Sequence, residues 1–221
     1  MRAILSPPAG KQSKWDVAEF FQSGVWEVDK VLRYAESFQP LGEKKSALDF
    51  GCGVGRLTRA LAAHFEQVRG VDISPAMIEH ARQYNGDGQR CEFVLNETAD
   101  LACFAAGTFD FIYSSITLQH MPPRLARRYI VEFLRVLRSG GLLVFQLPSR
   151  RKGIGGVLRS AAQSILEPLA HPFAPRVVMR GIRREEVIGL LTKNGGVVLN
   201  VAPDKSAGPA WESYRYLVRK S

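Results

Sequence analysis

Cysteine is scarce and unpatterned in this chain. Cys52, Cys91 and Cys103 are the only three in 221 residues, an odd number with no CxxC spacing. That excludes a disulfide framework and a cysteine zinc site, and a reducing, cytoplasmic compartment is the expectation. No apolar run nears the roughly 20 residues that cross a bilayer, and segments such as Leu142–Phe145 are strand-sized. The opening MRAILSPPAGKQ lacks the sustained apolar stretch of a secretory signal. Histidine is also sparse, at four, and neither HxxxH nor DxD occurs, so no metal centre is expected. Internal repeats and low-complexity tracts are missing. With 46% hydrophobic and 23% charged residues, the composition excludes disorder, collagen and coiled coil as descriptions of the whole. A chain of this length buries about 70% of its unfolded surface, enough for one domain with a full core.

Charge is unevenly placed. The net charge is +9, and residues 149–221 hold thirteen Lys/Arg against five Asp/Glu. A local basic face attracts an anionic substrate, a membrane surface or nucleic acid; an ordinary solvated surface is the competing reading.

Periodicity sets the organisation. Two aromatic-rich helical stretches are expected around Trp15–Phe21 and Val25–Phe38, followed by a polar linker at Pro40–Lys45. Short apolar runs then alternate with helical ones. Ala47–Phe50, Val68–Val71, Cys91–Leu95, Phe109–Tyr113 and Leu142–Leu147 read as buried parallel strands. Arg56–Phe65, Pro75–Tyr84 and Pro123–Leu137 read as helices, the last with Ala126, Ile130, Leu134 and Leu137 on one face. This rhythm predicts an α/β, Rossmann-like sheet with helices on both faces. After a helix at Arg183–Lys193, the strands Val197–Val201 and Trp211–Arg219 have no helix between them, so an antiparallel terminal hairpin is expected.

Asp49-Phe50-Gly51-Cys52-Gly53-Val54-Gly55 lies where the first strand meets the first helix. Glycines there allow a tight turn and bring backbone N–H groups to a ligand beside the positive end of the helix. Asp72 follows at the end of the second strand, where an acid suits ribose hydroxyls. A dinucleotide fingerprint requires a sixth-position glycine, and Arg56 stands there instead. Asp49, close to the loop, suits a ligand with an ammonium group better than a pyrophosphate.

LDFGCGVGRLTRALA, VRGVDISPAMIEHAR, FDFIYSSITLQHMPP and LRSGGLLVFQLPS, in this order and spacing, resemble the four signature segments of class I S-adenosylmethionine-dependent methyltransferases. The resemblance covers residues 47–148 and, in outline, 181–219. It implies a seven-stranded, mostly parallel sheet whose seventh strand is antiparallel. The implied cofactor is S-adenosyl-L-methionine, with S-adenosyl-L-homocysteine as product. The resemblance sets Asp49 near the methionine amino group and gives Gly51, Cys52 and Gly53 backbone contacts to the methionine and ribose. It gives Asp72 the ribose hydroxyls and packs Ile73 and Met77 on the adenine. Glu97, Thr98 and Ala99 would meet the adenine edge, and Ser114 the methionine tail through its backbone.

Methyl transfer from a sulfonium asks for proximity, orientation and sometimes a base. His120, after the fourth strand at the carboxyl edge of the sheet, is the candidate catalytic base; the alternative is a histidine that shapes its loop. Cys52 reads as a packing residue. The segment that amino-group methylators of nucleic-acid bases carry after the fourth strand reads Ser114-Ser115-Ile116-Thr117 here, which disfavours nucleic acid as partner.

The expectation is a single methyltransferase domain: 1–46 an N-terminal helical cap, 47–148 the cofactor-binding core, 149–180 an insert or lid on the substrate side, 181–221 a terminal helix and hairpin. It methylates a small-molecule, glycan-like or lipid-like acceptor, with O-methylation favoured. RNA or protein methylation through the basic last third, a non-catalytic cofactor-binding module and a nicotinamide-dependent dehydrogenase are the rival readings. Within the insert, a helix is expected through Ile154, Leu158, Ala161, Ile165 and Leu169. Arg150, Arg151 and Lys152 before it would serve an anionic group on the acceptor or a peripheral membrane contact.

Overall fold

The computed structural model describes residues 16–86, 88–153 and 178–221. Seven strands form one sheet in the order β3-β2-β1-β4-β5-β7-β6. They are β1 (Ser46–Phe50), β2 (Gln67–Asp72), β3 (Cys91–Leu95), β4 (Phe109–Ser114), β5 (Leu137–Arg151), β6 (Gly196–Asp204) and β7 (Trp211–Lys220). The first five run parallel, and β7 lies antiparallel between β5 and β6. The helices are α1 (Val17–Glu36), α2 (Arg56–Leu61), α3 (Pro75–Asn85), α4 (Pro123–Val136) and α5 (Arg184–Lys193). This is the Rossmann-like arrangement with a terminal antiparallel hairpin that the alternation of strands and helices predicts.

Two apolar layers cover the two faces. Ala126, Ile130, Phe133 and Leu134 of α4 pack with Leu48, Ile112, Leu143 and Phe145 on one face. Val28, Val31 and Leu32 of α1 and Leu57 and Leu61 of α2 pack with Ala47, Phe111 and Val144 on the other. Each such large side chain contributes roughly 1.5–3 kcal/mol by leaving water.

Of the boundaries that differ from the sequence reading, three bear on how the elements pack. The two N-terminal helical stretches are one helix: α1 runs through Gly24, which is buried. A Cβ at Gly24 would lie 2.6 Å from the Arg56 carbonyl oxygen, so the glycine admits the close crossing of α2 and does not end α1. Helix α2 stops at Leu61, short of Phe65, where Ala63 N–H and His64 N–H turn to Ala60 O and Leu61 O. Strand β5 runs on to Arg151 because β7 offers partners that far, pairing Arg150 with Glu212 and Arg151 with Trp211.

That third difference bears on the basic run. Arg150 Nε lies 2.7 Å from Glu212 Oε2 of β7, an ion pair in which the arginine side chain stays 75% exposed. The Arg151 guanidinium sits 5.8 Å from the centre of the Trp211 ring. Trp15 and the helix expected through Ile154–Leu169 lie outside the described residues.

Candidate functional site

The strand order reverses between β1 and β4, and ligands of open α/β sheets bind at that switch point, beyond the strand carboxyl ends. A cleft of about 550 Å³ opens there. Among the residues expected at the site, it brings together Gly51, Asp72, Ile73, Glu97, Thr98, Ala99 and His120. Asp49, Cys52, Gly53, Met77 and Ser114 do not line it.

The glycine loop folds back on the sheet. Gly51 and Cys52 both donate their backbone N–H to Val71 O, at 2.8 and 3.0 Å. Gly51 has φ +79°, and a Cβ there would meet the Thr117 side chain at 2.2 Å. At Gly53, with φ +54°, a Cβ would meet nothing within 4 Å. One glycine therefore admits Thr117, and the other faces open space that a ligand can approach.

Asp72 closes β2 with both oxygens engaged. Gly53 N–H donates to Oδ2 and Ser74 N–H to Oδ1, each at 2.9 Å. Each oxygen keeps a second lone pair, the requirement for a diol. Ser74 caps α3 by accepting from Met77 N–H, and Pro75 fills its first turn. Half-buried Met77 stands on the helix and outside the cleft wall. The apolar walls are Ile73, 66% exposed, and Ile116, 43% exposed. Ile116 has φ +58°, a backbone state that β-branched residues rarely adopt.

The 96–100 loop is held from below. Asn96 Nδ2 donates to Asp100 O at 2.8 Å, and Thr98 Oγ1 lies 2.9 Å from Asn96 Oδ1. The Tyr129 hydroxyl donates to Thr98 O at 2.7 Å, tying the loop to α4. Ile116, Thr117 and Tyr129 line the cleft without having been singled out from sequence. Tyr129 shares the apolar face of α4, which reads as core. Ile116 carries no sequence signal, because its strained backbone exists only in the folded turn.

Beneath the glycine loop the electrostatics are those of a buried layer. Asp49 is 1% exposed and accepts from Thr58 Oγ1 at 2.7 Å. Burial pushes its carboxyl up to about 7, against the lowering effects of Thr58 and Arg56. The Cys52 thiol is pushed well above its usual range by burial, then by Asp49 and Asp72. It packs with Ile78, Ala81 and Phe93, in keeping with a packing role. Ser114 is buried, and its Oγ donates to Phe50 O at 3.1 Å, clasping β4 to β1. Arg56, at the position where a dinucleotide loop has glycine, reaches α1 instead: Nη2 lies 2.8 Å from Glu27 Oε2. The Tyr113 hydroxyl donates to the other oxygen of Glu27 at 2.9 Å.

His120 ends a short 3-10 turn, Leu118–His120, at the cleft mouth. Burial lowers its imidazole below the usual range, opposed by a hydrogen bond to the Val178 backbone. A neutral ring at pH 7 follows.

The observed residues fit S-adenosylmethionine. The paired lone-pair sites of Asp72 suit the ribose diol, and the open face of Gly53 admits a close approach. The two exposed isoleucines offer apolar surface to a purine.

A family model described as "Methyltransferase domain" matches residues 47–141. The 2-methyl-6-phytyl-1,4-hydroquinone methyltransferase of Synechocystis is 27% identical over 171 residues, 75% of this chain and 50% of that protein. The trans-aconitate 2-methyltransferase of Azoarcus is 34% identical over 137 residues, 56% of this chain and 51% of that one. The chain thus spans about half the length of these two relatives. The ubiquinone biosynthesis O-methyltransferase of Thiobacillus denitrificans is 30% identical over 190 residues, 80% of each chain. Among solved structures, magnesium protoporphyrin IX methyltransferase of Synechocystis with bound S-adenosylhomocysteine superimposes with a TM-score of 0.67. That match is 20% identical, covers 100% of this chain and 92% of the other, and supports the fold. By its sheet, its glycine loop and these relatives, the chain belongs to the class I S-adenosylmethionine-dependent methyltransferases, and S-adenosyl-L-methionine is the cofactor.

Proposed function

We propose that this protein methylates a hydroxyl oxygen of a small-molecule acceptor. The observation that carries the reading is the cleft itself, in which Asp72 and the glycine loop face apolar walls of Ile73 and Ile116. The names of two relatives, a ubiquinone biosynthesis O-methyltransferase and a trans-aconitate 2-methyltransferase, support a small acceptor, and the first supports oxygen as the methylated atom.

The cofactor, when bound, supplies a methyl on a sulfonium, a leaving group that needs no acid. Asp72 holds the ribose, and the 96–99 loop with Ile73 and Ile116 holds the purine. Asp49, buried below the glycine loop and off the cleft wall, acts on the methionine ammonium through an intervening water. The chain's main contribution is orientation of the acceptor oxygen. His120 accepts the hydroxyl proton, a role suited to its neutral ring and its place on the cleft.

Tritiated-methyl transfer into separate metabolite, lipid, RNA and protein pools tests this reading. Label in the metabolite or lipid pool as a base-stable ether supports it; a base-labile ester there places the methyl on a carboxylate and overturns the hydroxyl reading. Label confined to RNA or protein, or cofactor binding with no transfer to any pool, overturns it.

A further inference from the structure

Most of the polar side chains buried among the described residues tie loops or strands together. Asp49 and Thr58 pair below the glycine loop, Asn96 holds the 96–100 loop, and Ser114 clasps β4 to β1. Asp110 accepts the Ser46 N–H and joins the same two strands at their start. Gln119, Gln146 and Ser213 remain, each 3% exposed or less. One end of the Gln146 amide on β5 lies 2.6 Å from Ser213 Oγ on β7 and 3.3 Å from the Gln119 amide. The Gln119 amide lies 3.2 Å from the His120 ring. The other end of the Gln146 amide is buried without a hydrogen-bond partner. Burial of such a group costs free energy, which a ligand contact offsets.

Arg215 stands directly opposite Gln146 in the β5–β7 ladder, and opposed residues share a face of the sheet. Its Nη2 donates to Asp204 Oδ2 at 2.8 Å, while its Nε–H is buried without a partner. Asp204 compensates the charge, so this edge of the guanidinium is a hydrogen-bond donor more than a net cation. Burial raises the Tyr113 hydroxyl, and Arg215 lies close enough to oppose that rise, so the same face reaches back to the end of β4. Glu27 of α1 holds the Tyr113 hydroxyl, which lays α1 over that end. Neighbouring strands run about 4.8 Å apart, so β5 and β7 stand roughly 5 and 10 Å from β4. A single substituted ring spans that interval.

We propose that Gln146 and Arg215 form a recognition subsite for the methyl acceptor, in which Arg215 Nε–H and the free end of the Gln146 amide hold a carbonyl or carboxylate oxygen. The acceptor is then a hydroxylated compound with a second oxygen function within one ring of the hydroxyl that is methylated. An amide gives its NH2 to an oxygen acceptor and its carbonyl to a hydroxyl, so either placement of the Gln146 amide suits this class. The use of the subsite in turnover rests on the methyl-transfer reading above; ligand binding at Arg215 does not.

The experiment takes the full chain saturated with S-adenosylhomocysteine and three probes: catechol, 3,4-dihydroxybenzaldehyde and 3,4-dihydroxybenzoate. Side-chain 1H–15N spectra report the arginine Nε–H groups, with Arg215 assigned by the signal lost in Arg215→Lys. The aldehyde, the acid or both should move that signal and bind about tenfold tighter than catechol, the scale of one hydrogen bond to a charged group. A response to the aldehyde assigns the oxygen as a carbonyl, and a response to the acid alone as a carboxylate. Arg215→Lys keeps a cation for Asp204, and Gln146→Met keeps the side-chain length. Each should bring the preference over catechol below about threefold. An Arg215 signal that no probe moves leaves an internal water as the partner of Nε–H and overturns the proposal. So does a preference that survives in either folded variant. If a variant fails to fold, the signal in the parent decides. A shifted Arg215 signal with no pool accepting methyl keeps the subsite and removes the methyl-transfer reading; label in the metabolite pool with an unmoved signal does the reverse.

Discussion

Asp72 accepts the Gly53 backbone N–H on Oδ2 at 2.9 Å, so the carboxylate closing β2 also fixes the glycine loop after β1. Asp72→Ala removes this tie together with the proposed ribose contact. The expected loss of S-adenosylhomocysteine affinity is about 1.5–3 kcal/mol, the range for hydrogen bonds to a charged group. Calorimetric titration checks it, and unchanged affinity in a folded variant removes Asp72 from the site.

The buried carboxyl of Asp49 makes stability depend on pH. Its folded pKa, about 7, lies above the usual 3.8. Its stabilising contribution is therefore full below pH ~4 and declines as pH rises through 7, by about 1.4 kcal/mol per unit between the two values. Asp49→Asn should flatten that slope and stabilise the cofactor-free protein at pH 8 relative to the parent. Urea denaturation at pH 5 and pH 8 measures both effects; an unchanged slope rejects Asp49 as its source. In the parent, proton release on S-adenosylhomocysteine binding near pH 6.5 is expected if the ligand's ammonium meets this carboxylate, and calorimetry in buffers of different ionisation enthalpy detects it.

The two loop glycines should fail differently. Gly51→Ala drives a methyl into Thr117 at 2.2 Å and holds an L-residue at φ +79°, so the loss appears as stability, about 2–4 kcal/mol. Gly53→Ala, at φ +54° with open space beyond, should cost only about 1–2 kcal/mol of stability while weakening cofactor binding. Melting curves with and without S-adenosylhomocysteine separate the two. Equal ligand-induced stabilisation in Gly53→Ala and the parent would count against an approach at that residue.

Arg56 is expected to act on α1 through its charge-assisted bond to Glu27. Arg56→Ala should cost about 1.5–3 kcal/mol and loosen the first helix, read by faster hydrogen exchange at Glu27–Leu32. Arg56→Gly restores the spacing of a dinucleotide loop yet should leave NADH titration flat, since Asp49 remains. Measurable NADH binding by that variant would revive the dehydrogenase reading.

Much of the site was legible in the chain. Gly51 and Asp72 could be placed because glycines at a strand-to-helix turn and an acid closing the next strand are local patterns, and Ile73 followed from the resemblance. Glu97, Thr98 and Ala99 followed from the resemblance. Ile116 could not be found this way: nothing in Ser-Ser-Ile-Thr announces a left-handed isoleucine, a state imposed by the fold around it. Nor could the Arg150–Glu212 ion pair, because only the pairing of β7 with β5 brings Glu212 beside the Ser-Arg-Arg-Lys run.

The sequence by itself determined the alternation of strands and helices, the glycine turn and the hairpin, because each rests on periodicity or on residues a few places apart. Only the tertiary structure decided that Asp49 is buried on Thr58 while Asp72 faces the cleft, and that Gln119 and Gln146 join β7 to His120. Those arrangements depend on which side of the sheet each strand residue faces and on what the neighbouring strand presents there. Strand order and register, not local spacing, make that choice.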